Sequence, residues 1–416
     1  MPGTPDTSKI NEAQDDAPMF MGTWQDTERD SGRTEPADFS DVCASQRRIG
    51  LKIAQLAPLW ESVPPKTYGG TELVVHLLTE TLVGLGHEVT LFASGDSQTQ
   101  GRLISTVPAS LRTQGVQVAT YEELSFLEAV FERAEEFDII HNHMMPMPLP
   151  FARMSQTPVL TTLHGAFKPK ALREFIEQYA ELPYVSISNY QRTGSPHLNY
   201  MATVYHGLDL QRFDYDTQGA HKDYLVFLGR FSAEKGPHLA IQIARETGLP
   251  LVMAGKVDLV DREYFLDDIE PCIDGQLVRY IGEVNHAQKV TLLKNAKATL
   301  CPVLWPEPFG LVLIESMACG TPVIALRDGS IPEIVESGIN GFICQTVDEM
   351  IDAVHRISEI NRRRCRLTCE QRFTKERMTL DYQEIYRLLV EQSQANRYHK
   401  HHPPGLVSVG SLGTRS

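Results

Sequence analysis

Two successive series of short apolar runs, each alternating with amphipathic stretches, predict an α/β protein built from two doubly wound, Rossmann-like domains. A chain of 416 residues is too long for one ordinary core. Its content, 42 % apolar and 22 % charged, suits globular domains with a sizeable interior. A polar, irregular stretch at 209–223 separates the two series. Domains are therefore expected at 47–210 and 211–377, facing an interdomain cleft. Ligands of such sheets bind beyond the carboxyl ends of the strands.

The first series begins with the compact apolar run 49–56, as expected of a strand buried on both faces. A Gly-rich turn then leads into a helix whose Leu73, Val74, Leu77, Leu78, Leu82 and Leu85 follow helical spacing, and Gly86 stops it. Further strands are predicted at 89–93, 137–141, 159–163, 184–187 and 203–205. The second series has strands at 224–228, 251–254, 277–281, 298–301, 322–325 and 341–344. Residues 1–46 are acidic and polar without an apolar period, so a disordered tail is expected there, and another at 396–416.

The formal charge of −14 argues against nonspecific binding to nucleic acid or anionic membranes. It leaves an anionic small substrate open, because a phosphate pocket needs only a few local cations. Seven irregularly spaced cysteines do not read as a disulfide framework, and Cys365 and Cys369, four apart in a helix, read as reduced thiols without a second pair at zinc spacing. No basic, apolar leader opens the chain, and no run approaches the ~18 apolar residues of a transmembrane segment. A cytoplasmic protein is expected.

Five segments follow predicted strands, where a ligand would be held. In Glu307-Pro308-Phe309-Gly310-Leu311-Val312-Leu313-Ile314-Glu315, two carboxylates flank a helix start whose free N–H groups suit oxygens. Ionised carboxylates accept hydrogen bonds from vicinal sugar hydroxyls, although this spacing also occurs by chance. Gly229-Arg230-Phe231-Ser232-Ala233-Glu234-Lys235-Gly236 puts two cations on one loop, either a diphosphate clamp or solvated surface charge. Tyr68-Gly69-Gly70-Thr71-Glu72 lets backbone N–H groups approach an oxygen, or is a plain tight turn. His164-Gly165 follows one strand, and His141 and His143 another; a lone histidine is more often structural than catalytic, and no carboxylate completes a metal site. Gly282-Glu283 and Gly329-Ser330-Ile331-Pro332-Glu333 place further carboxylates in turns.

The combination and order of these motifs resemble glycosyltransferase family 4, with the GT-B fold, over residues 49–392. The opening Lys52-Ile53-Ala54-Gln55-Leu56-Ala57-Pro58 and the segment 88–96 share the likeness; His206-Gly207-Leu208-Asp209 departs from it, since an asparagine often stands in place of His206. The resemblance implies retaining transfer of a hexose from a nucleotide diphosphate sugar to an unknown acceptor, with no metal or other cofactor. UDP-glucose is the first donor to consider. It also implies that Arg230 and Lys235 hold the diphosphate, that Glu307 and the amides of Phe309, Gly310 and Leu311 hold the sugar, and that Glu315 binds the ribose. His164 would lie beside the transferred sugar, Gly69 and Gly70 near phosphates or acceptor, and Gly229 and Glu283 along the donor. The last helix, about 378–395, would cross back onto the first domain. The rival readings are a nucleotide-sugar epimerase, another GT-B-like enzyme such as a sugar phosphorylase, and a noncatalytic sugar-nucleotide-binding protein. An NAD-dependent oxidoreductase is disfavoured by the missing GxGxxG fingerprint.

Overall fold

The computed structural model describes residues 50–67, 69–216 and 223–401, with side chains through Arg397. The acidic segment 1–46, Tyr68, part of the 209–223 stretch and the end from 402 lie outside them. Among the described residues, thirteen strands form two all-parallel sheets. The first holds β1 (Lys52–Leu56), β2 (Glu88–Phe92), β3 (Arg102–Ile104), β4 (Ile139–Asn142), β5 (Val159–Leu163), β6 (Pro183–Ser186) and β7 (Asn199–Thr203) in the order 3-2-1-4-5-6-7. The second holds β8 (Leu225–Leu228), β9 (Leu251–Ala254), β10 (Val278–Tyr280), β11 (Ala298–Cys301), β12 (Val323–Leu326) and β13 (Gly341–Cys344) in the order 10-9-8-11-12-13.

Both orders reverse beside their first strand. In register, Ile53 lies between Val89 of β2 and Ile139 of β4, and Leu225 between Leu251 of β9 and Ala298 of β11. Loops leaving the carboxyl ends diverge at such a reversal and open a crevice. These are the two doubly wound α/β domains that the alternating pattern predicts.

Two strands differ from expectation. The predicted strand 203–205 lies earlier, at Asn199–Thr203, and β3, with only Leu103-Ile104 as its apolar run, was not predicted. Both are sheet edges whose residues stay partly exposed, so neither needs the continuous apolar sequence of a central strand.

The chain crosses between the sheets twice at one place. Leu208 N–H donates to Phe373 O (2.8 Å) and Lys375 N–H to Leu208 O (2.9 Å). From there the helix Lys375–His401 returns to the first sheet. It buries Met378, Tyr382, Ile385, Tyr386, Leu389 and Val390 in a cluster with Val74, Leu77, Leu78 and Leu82 of the helix Gly70–Gly84. The helical spacing of those residues is the reason this amphipathic segment docks.

Candidate active site

A cleft of about 480 Å³ lies between the carboxyl ends of the two sheets. It is lined by the twelve residues to which the resemblance gives a role, Arg230, Lys235, Glu307, His164, Gly69, Gly70, Gly229, Glu283, Phe309, Gly310, Leu311 and Glu315, whereas His141, His143 and Glu333 lie outside the lining. Its size is that of a small-molecule site.

The floor on the second domain is set by close backbone packing. A Cβ on Gly255, just after β9, would sit 1.8 Å from Gly229 O, so the loops leaving β8 and β9 press together. A Cβ on Gly329 would sit 2.4 Å from Glu307 O, and Ser330 braces the loop: its N–H donates to Glu307 O (2.9 Å) and its Oγ to Phe309 O (2.9 Å). The Gly329-Ser330 turn thus serves as a support for the Glu307 loop. Gly310, at φ 85°, caps the helix Leu311–Ala318, whose first residues line the cleft.

The cations are not bare. Arg230 pairs with Glu234 at 2.5 Å and lies 3.8 and 3.6 Å from Asp258 and Asp261. Lys235 is ion-paired to Glu307 and sits 4.6 Å over the Trp305 ring, whose Nε1–H donates to Glu307 at 3.0 Å. Glu315 is paired with Lys289. The walls are bridged by Arg112–Asp258 (3.3 Å), Thr67–Glu283 (2.9 Å) and Lys168–Glu234 (3.0 Å). A similar tie lies further along, where the Glu333 carboxylate accepts from the N–H groups of Asn189 (2.8 Å) and Tyr190 (2.7 Å).

His164 enters from the first domain. Its Nε2 lies 2.9 Å from His143 Nδ1, its ring stacks 5.4 Å from His206, and its buried Nδ1 has no partner. Burial lowers its pKa to about 3 and holds it neutral. His141 and His143 lie behind it in a hydrogen-bonded chain. Glu72, in the first turn of the helix Gly70–Gly84, also faces the cleft, and burial raises its pKa to about 7.

Sequence reading missed Trp60, Glu61, Arg112, Lys256, Lys289 and Trp305 in the lining. Gly255-Lys256 repeats the strand–Gly–cation pattern of Gly229-Arg230, and Trp305 stands two residues before Glu307, so both carried a local signal. Arg112 and Lys289 carried none.

The family model "Glycosyltransferase Family 4" matches residues 68–200, and "Glycosyl transferases group 1" matches residues 215–372. The glycogen synthase of Mycobacterium tuberculosis is 25 % identical over 344 residues, covering 70 % of this chain and 81 % of that protein. AviGT4, a glycosyltransferase involved in avilamycin A biosynthesis, has a similar structure: TM-score 0.62 and 26 % identity over 82 % of this chain and 98 % of that one. Anabaena HepE, solved in complex with UDP and glucose, shares the fold at TM-score 0.65 and 18 % identity, covering 80 % of this chain and 99 % of its own. Among the described residues, no helix is long and apolar enough to cross a membrane.

Proposed function

This chain is a family 4-type glycosyltransferase with the GT-B fold, and we propose that it moves a hexose from a UDP-linked sugar to an acceptor with retention of anomeric configuration. The observation that carries this reading is the convergence of Arg230, Lys235 and the mouth of the helix Leu311–Ala318 on one cleft with Glu307 and Glu315. HepE, of the same fold, holds UDP and glucose, which favours a uridine donor.

In the proposed reaction, the bond between the anomeric carbon and the diphosphate oxygen breaks, and negative charge grows on the leaving diphosphate. Arg230 and Lys235 meet that charge as fixed cations, and the N–H groups at the helix mouth meet it as fixed dipoles. The diphosphate takes over these cations from Glu234 and Glu307, leaving the Glu307 carboxylate to accept from sugar hydroxyls. The acceptor attacks from the face the diphosphate leaves, and a phosphate oxygen takes its proton. The scheme uses no metal ion. Closure of the two domains excludes water as a rival acceptor.

The test is a thermal-shift screen of nucleotide sugars, followed by turnover with an acceptor panel and NMR of the product anomer. A ligand of the native state raises the melting temperature. The expected result is a shift with a UDP-hexose, UDP release that depends on acceptor, and an α-linked product from an α-linked donor. An inverted product would refute retention. UDP-sugar interconversion without acceptor would indicate an epimerase, and binding without turnover a noncatalytic protein.

A further inference from the structure

Behind His164 runs a buried hydrogen-bond chain that reaches the last helix, and its donors and acceptors can be assigned one by one. Gln55, on β1, donates through Nε2 to the Tyr386 hydroxyl at 3.0 Å. Its Oε1 therefore faces His143 Nε2, at 2.9 Å, and as an acceptor requires that nitrogen to carry the proton. A neutral imidazole has one N–H, so His143 Nδ1 is bare and accepts from His164 Nε2 at 2.9 Å. That leaves His164 Nδ1 bare as well, buried and unpartnered in a residue that lines the cleft. The other branch agrees: Tyr386, having accepted from Gln55, gives its own O–H to His141 Nδ1 at 2.6 Å, and His141 Nε2–H donates to Thr162 Oγ1 at 2.7 Å. Burial keeps His141 and His143 neutral, as this assignment needs.

We propose that Gln55, His143 and Tyr386 are positioning residues for sugar transfer: they hold His164 as the Nε2–H tautomer, so that its Nδ1 offers the cleft an acceptor for a hydroxyl O–H of the bound sugar. The proposal rests on the reading of the cleft as a donor-sugar site. The choice of tautomer matters because the opposite one would present an N–H there, and a sugar group able only to accept would then bind equally well. Residue 386 reaches this site only because the last helix docks on the first domain.

The experiment uses the full chain labelled with ¹⁵N-histidine. Two-bond ¹H–¹⁵N correlations report which nitrogen of each ring is protonated, and loss of one signal set in His164→Gln assigns that ring. The expected result is Nε2–H for both His143 and His164 without ligand. Tyr386→Phe frees the Gln55 amide to turn over, so His164 should become a tautomer mixture and kcat should fall about tenfold with KM for the donor little changed. Gln55→Leu should do the same. Tyr382→Phe removes a hydroxyl as deeply buried on the same helix, one that bonds Thr162 instead (3.0 Å), and should leave the His164 tautomer as it is. Deoxyfluoro donors, which accept but do not donate, should be rejected at one sugar position. A His164 protonated on Nδ1 or on both nitrogens overturns the proposal even if the chain transfers sugar. So does a Tyr386→Phe variant that keeps both tautomer and rate. A chain that turns over no nucleotide sugar removes the transfer reading, and the proposal falls with it.

Discussion

The Lys235 ammonium, on the loop after β8, is ion-paired to the Glu307 carboxylate, on the loop after β11, with side chains 21 % and 13 % exposed. The two loops flank the point where the strand order reverses, so this pair closes the switch point of the second sheet. Removing one partner leaves the other charge half-buried and unpaired. Lys235→Met and Glu307→Gln should each cost about 1–2 kcal/mol of stability, and the double variant less than their sum. Denaturant midpoints of the four proteins measure this, and strict additivity would refute it.

Gly236, at φ 71°, turns the chain into the helix Pro237–Thr247, and a Cβ there would meet Pro302 O at 2.0 Å. Gly248, at φ 66°, ends the same helix with nothing within 4 Å of the added atom. Gly236→Ala should therefore cost about 3 kcal/mol or more and Gly248→Ala only about 1 kcal/mol. Equal losses in denaturation would show that backbone conformation, not the close approach, sets the cost.

Burial depresses the pKa of His141, His143, His164 and His206, that of His164 to about 3. Such groups contribute stability that is fully present above the unfolded histidine pKa of about 6.5 and is lost as pH falls toward the folded values. Melting temperature should thus fall steadily from about pH 6.5 down to pH 4. The fall should be smaller in His164→Gln, which removes one of the titrating groups. A flat profile over that window would contradict the neutral histidine chain.

Glu72 acts with the opposite sign. Burial raises its pKa to about 7, so its contribution is present below about pH 4.5 and lost as pH rises through 7. Glu72→Gln, which mimics the protonated form, should match the parent in stability at pH 4 and exceed it at pH 8 by on the order of 3 kcal/mol. An unchanged difference between those two pH values would mean that Glu72 is not desolvated in the native state.

The strand–helix alternation, the helix stop at Gly86 and the placing of motifs after strands were legible because each is a local pattern in the chain. Gly229-Arg230 and Glu307 came within reach of sequence reading because parallel sheets put such loops at one end. What was not legible is long-range pairing. Lys289 meets Glu315 from another helix, and Arg112 meets Asp258 from the other domain. Gln55 meets Tyr386 across 331 residues. Lys289, Arg112, Asp258 and Tyr386 carry no local mark of these partners until the fold assembles them. The edge strand β3 escaped, and β7 was placed a few residues late, for the converse reason, since a half-exposed strand needs no distinctive apolar run.

The central claim is that Arg230 and Lys235 stabilise a departing diphosphate. Its most direct test is single-turnover and steady-state kinetics of Arg230→Ala and Lys235→Ala with the nucleotide sugar that shifts the melting temperature most, alongside the melting temperature of each variant. Each variant should stay folded and lose about a hundredfold in kcat, the scale of roughly 3 kcal/mol of transition-state stabilisation. Near-normal turnover in either folded variant would contradict the account.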